Sequence, residues 1–147
     1  VFIKLLSGGY FVDYKFAYDN KDYLLTNENC EGLFFEDDNE IVGLSLDLIL
    51  NALNEGEDVA FSNEYYSGKC SCNTQDEVNK SYRYLEYHFY IYTKNKEYVI
   101  NTIENEYKAT SFNKLFNAGK IDDSYIVIVT VCPNCGVYSI SVEQCTV

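Results

Sequence analysis

The sequence predicts an α+β domain in which two or three short helices pack on a mostly antiparallel sheet. Three observations carry that expectation. Residues 87–93 alternate, with Tyr87, Phe89 and Ile91 on one side and His88, Tyr90 and Tyr92 on the other, as the two faces of a strand do. Leu46, Ile49, Leu50 and Leu53 recur at helical spacing, which places one apolar stripe on a helix. Near the C-terminus the apolar alternating runs Tyr125–Val131 and Val137–Val142 flank Cys132-Pro133-Asn134-Cys135-Gly136, so the chain reverses between two strands around a cysteine pair.

The elements follow in order. Tyr14–Tyr18 and Tyr23–Leu25 read as a hairpin across the polar turn 19–22. A loop then holds Cys30 and the acidic run Glu36-Asp37-Asp38-Asn39-Glu40; it lacks the spaced ligands and bidentate Glu of a calcium loop and reads as a solvated segment. Ser45 caps the helix that ends at Gly56. Val59, Phe61 and Tyr65 suggest a strand leading to Cys70, and Thr74 with Glu77 forms a capping box for a second helix bearing Val78, Tyr82 and Leu85 on one face. After the strand at 87–93, Asn95-Lys96 turns the chain into Tyr98-Val99-Ile100. Thr110 or Ser111 caps a short helix with Phe112, Leu115 and Phe116 inward and Gly119 at its end.

A chain of 147 residues fits one domain and buries roughly two-thirds of its unfolded surface. We expect residues 13–147 to form that single domain and residues 1–12 to be an N-terminal extension. The extension reads as a gene-start artefact: Ser7-Gly8-Gly9 matches a purine-rich ribosome-binding sequence, Val12 an alternative GTG start, and the chain contains no Met.

Two cysteines two residues apart, in a turn shaped by Pro and Gly, direct both sulfurs at one tetrahedral ion. A structural zinc site takes four ligands, so a second pair is needed. Cys70-Ser71-Cys72, after Gly68, is the candidate. We expect Cys70, Cys72, Cys132 and Cys135 to form one zinc tetrathiolate, which makes the C-terminal hairpin zinc-ribbon-like. Cys30 and Cys145 are spare thiols able to replace a member. Three other readings compete: a redox dithiol, which calls for a helix after the first cysteine where a strand is expected; disulfides, which suit a secreted protein rather than the cytoplasmic one expected here; and plain apolar burial of the cysteines.

The balance of 11 basic against 23 acidic residues, a net charge of −12, argues against nucleic acid, whose phosphates require clustered Lys and Arg. No apolar run approaches the roughly 20 residues of a membrane span. The sequence has no glycine-rich phosphate loop, nucleophile elbow or His-Glu-x-x-His motif, and its single histidine, His88, has no nucleophile placed beside it by the sequence. The favoured reading is a small acidic, cytoplasmic, zinc-stabilised protein-interaction domain without catalysis. The competing one is a thiol-redox or zinc-dependent hydrolytic enzyme using Cys132 and Cys135.

The segments Glu86–Tyr90, Thr110–Leu115, Asp123–Val127 and Val131–Gly136 together resemble a small family of uncharacterised clostridial proteins, from about Tyr14 to the C-terminus. The resemblance implies no activity and carries over no site residue.

Overall fold

The computed structural model describes residues 3–6 and 9–145. Strands β1 (Ile3–Leu6) and β2 (Gly9–Val12) pair antiparallel, as do β3 (Tyr14–Tyr18) and β4 (Lys21–Leu25). The Ser7-Gly8 part of the gene-start reading lies outside the described residues. Val12, at the end of that stretch, is fully buried.

The main sheet has seven strands. Strands β5 (Cys30–Phe35), β11 (Tyr138–Gln144), β10 (Asp123–Val131), β8 (Ser81–Lys94) and β6 (Ser62–Tyr66) lie in that order, and β7 (Glu77–Val78) and β9 (Glu97–Asn101) also pair with β8. β8 is the axis, its 14 residues spanning roughly 45 Å at strand rise. One edge carries β7 and then β10; the other carries β6 and then β9.

The expected mostly antiparallel sheet is a mixed one, because β5 enters parallel to β11. Residues 30–35 were expected in a loop. They include Gly32, show no clean alternation, and become a strand by pairing with β11, more than a hundred residues away.

The helix expected after Thr74 does not form. Instead β7 turns into β8 through Asn79-Lys80, with φ values of 50° and 63°. The hairpins at Asp19-Asn20 and Asn95-Lys96 also place both turn residues at positive φ, the turn whose twist matches that of paired strands. The strand read for 87–93 in fact begins at Ser81, and the aromatic-rich run favours strand over helix. The strand expected from Val59 starts later, at Ser62, while Phe61 is buried just before it.

Helix α1 (Leu46–Glu55) covers one face of the sheet, its Ser45 hydroxyl accepting from the Leu48 amide at 3.1 Å. Ile49, Leu50 and Leu53 join Leu85, Phe89, Val127, Val129 and Ile140 in the main core. A second, smaller cluster lies under α2 (Phe112–Asn117), capped by Ser111, with the Phe112 ring edge-on to Tyr92 at 5.0 Å. The Tyr90–Tyr92 face is therefore divided: α2 covers Tyr92, while Tyr90 stays exposed.

Lys80 holds a left-handed backbone conformation that costs a side-chain-bearing residue about 1 kcal/mol. Lys80→Gly is expected to raise stability by about 0.5–1 kcal/mol. A shift of the urea midpoint to higher concentration checks it.

Candidate metal centre

The topology of β8 brings the cysteines together. Tyr82, near its start, pairs with Tyr66 of β6 on one edge and Glu77 of β7 on the other. Residues 67–76 must therefore cross over the beginning of β8. They arrive on the edge where β10 ends, Val131 pairing with Leu85, and the turn 132–136 begins one residue later.

That turn is tightly closed. The Gly136 amide donates to the Cys132 carbonyl and the Cys132 amide to the Val137 carbonyl, each at 2.9 Å, and Gly136 supplies a φ of 81° that a Cβ would strain. The Pro133 carbonyl accepts from the Lys21 ammonium at 2.6 Å and the Tyr23 hydroxyl at 3.2 Å, so β4 holds the turn from below. Asn134 donates to the Thr74 carbonyl at 2.8 Å, tying it to the facing loop.

The loop is fixed through Gln75, which is 6% exposed. Its side chain accepts from the Cys70 amide at 2.7 Å and donates to the Arg83 carbonyl at 2.8 Å. A buried amide with both ends satisfied locks the loop to β8. Sequence reasoning missed this residue and Lys21, since nothing in the spacing of either signals such a contact. Thr74, expected as a helix cap, instead places its hydroxyl 3.1 Å from the Cys72 sulfur.

The structure brings together all four expected cysteines, their Sγ atoms lying within 4.8 Å of one another. Cys70 and Cys135 are 3.7 Å apart and Cys72 and Cys132 are 3.8 Å apart. A tetrahedron of sulfurs bonded at about 2.3 Å to a central ion has edges of about 3.8 Å; the two measured separations share no atom and so correspond to opposite edges. They are far too long for disulfides. Four close cysteines of this geometry could hold a metal ion. Cys30 and Cys145 stand outside the group.

The sulfurs differ in their protonation. Burial pushes the Cys70 thiol up to about 12 and also raises Cys132, against which the amides of Cys135 and Asn134 act in the opposite direction. The Thr74 hydroxyl, followed by its backbone amide, lowers Cys72 to about 6. Cys132 stands at the end of β10, and the next regular element is β11, so no helix dipole activates it as a redox nucleophile.

A family model matches residues 14–147. The chain belongs to the family described as "Protein of unknown function (DUF3785)". The matched DUF3785 region takes in every element from β3 onward and all four cysteines of the centre. Its description assigns no activity, in keeping with what the resemblance implied. Comparison with curated proteins and with solved structures returns no match.

In protein stripped with a chelator, Cys72 is expected to react with iodoacetamide at pH 7 ahead of Cys70 and Cys132. Thr74→Val should slow it by about fivefold, because losing a hydrogen bond to the thiolate raises the thiol pKa. Peptide mass spectrometry over a time course reads both.

Proposed function

We propose that Cys70, Cys72, Cys132 and Cys135 hold one Zn2+ as a closed structural site, and that the domain is a non-catalytic interaction module. The observation carrying this reading is the pair of opposite sulfur–sulfur edges at 3.7 and 3.8 Å. The group consists of four cysteines with no histidine or carboxylate, the donor set of structural rather than catalytic zinc. Four protein ligands leave no position for a reactive water. A reducing compartment such as the cytoplasm, where thiols persist, suits such a site.

In this reading the ion is a clamp. Residues 67–76 contain no helix or strand, and their fixed points are a few hydrogen bonds. Zinc would tie this loop to the C-terminal hairpin across 60 to 65 residues of chain, adding its binding free energy to folding. With the metal in a structural role, function falls to the surface. The net charge of −12 favours a protein or small-molecule partner over nucleic acid.

Protein purified without added metal is expected to contain one zinc per chain by elemental analysis, lost together with the appearance of four reactive thiols. Cys132→Ser should abolish stoichiometric zinc and lower Tm by roughly 10 °C, the shift that about 3–4 kcal/mol produces in a chain of this size. Zinc-free native protein, or a Cys132→Ser variant with unchanged metal and Tm, would overturn the proposal.

A further inference from the structure

The face of the sheet opposite α1 carries a built cavity of about 500 Å3 between the cysteine loop and strands β10 and β11. Thr130, Ser139 and Ser141 provide hydroxyls in it, Tyr66 and Tyr84 form an aromatic wall, and Cys70 and Cys132 close one end. The two tyrosines meet edge-to-face at 5.8 Å. Tyr84 is further held by its hydroxyl, which donates to the Gly68 carbonyl at 2.8 Å.

Beneath Tyr66 lies Glu86, only 4% exposed. Its carboxylate accepts from the Tyr66 hydroxyl, contacts the His88 ring nitrogen, and accepts from Thr130 at 3.3 Å. The register places Ser139, Thr130, Glu86 and Ser62 in one row across four strands. A buried carboxylate is costly unless satisfied, and these partners hold the Tyr66 wall in place.

The charges of the cavity are unbalanced. Glu31 and Glu143 line it, and among the described residues neither forms an ion pair. The one basic residue in its lining, Lys69, has its ammonium 5.8 Å from the centre of the Tyr82 ring, outside the lining. Carboxylates, tyrosine rings and hydroxyls able to accept hydrogen bonds in one lining form the recognition chemistry of an organic ammonium ion. An anion would meet like charge.

We propose that this cavity binds a primary ammonium group carried on a short aliphatic chain. The same chemistry is offered by a free amine and by the lysine side chain of a partner protein. The inference goes beyond the zinc reading and does not require it, although four thiolates around a divalent ion would add net negative charge at one wall.

The test is calorimetric titration of the full chain, as purified, with 1,5-diaminopentane, with an otherwise uncharged peptide containing one lysine, and with butyrate as the anionic control. At least one of the two amines is expected to bind, more weakly as salt is raised. Affinity should fall about tenfold in Glu31→Gln/Glu143→Gln, two surface changes whose folding is checked by circular dichroism. Tighter binding of the peptide supports a protein lysine as the natural source, and tighter binding of the diamine supports a free amine. Binding of neither, a preference for butyrate, or unchanged affinity in the folded double variant overturns the proposal. Zinc content is measured on the same samples, so amine binding without zinc, or zinc without amine binding, separates the two readings.

Discussion

Everything in this chain depends on β8 being hydrogen-bonded along both edges. A strand of 14 residues cannot bury that many amides and carbonyls without partners, and four antiparallel neighbours, β6, β7, β9 and β10, share the task. This arrangement dictates which distant segments meet. Because β6 and β7 occupy opposite edges at the same end, their connection must cross that end, where β10 also finishes. The cysteine loop and the cysteine turn are neighbours because of strand pairing, before any bond between them is counted. The same axis separates the molecule's two surfaces, with α1 sealing one and α2 sealing only part of the other.

Local patterns were readable wherever the partner was close in sequence. Ser45 with its apolar stripe, Ser111 with α2, the turn at Asn95-Lys96 and the C-terminal hairpin are all elements whose signals lie within a dozen residues. The Asn79-Lys80 hairpin carried the same dipeptide as 95–96, but Thr74 and Glu77 mimicked a helix start. The strand won because Tyr66 and Glu77 flank the same residue of β8. β5 was not readable, since its reason for being a strand is β11.

The four cysteines were visible as two pairs because thiol spacing is a local signal and a tetrahedral ion supplies the rule that joins them. Their supports were not. Gln75, Lys21 and Thr74 act through hydrogen bonds set by tertiary position. Glu86 was hidden more deeply: in the alternation it falls among outward-facing residues, where a carboxylate is unremarkable. Tyr66, delivered from β6, meets His88 and Thr130 over that carboxylate, and the position is a buried one.

The parallel junction between β5 and β11 has a further consequence, one of time rather than stability. The hairpins at 19–20, 79–80 and 95–96 close on two-residue turns, and such contacts form within microseconds. The Asn29 side chain reaches the Gly136 carbonyl across 107 residues, next to where β5 joins the sheet, and a loop of that length is among the last closures a chain completes. Until it closes, β11 is an open strand edge beside the cysteine turn. The seam expected to close last therefore adjoins the turn that carries Cys132 and Cys135.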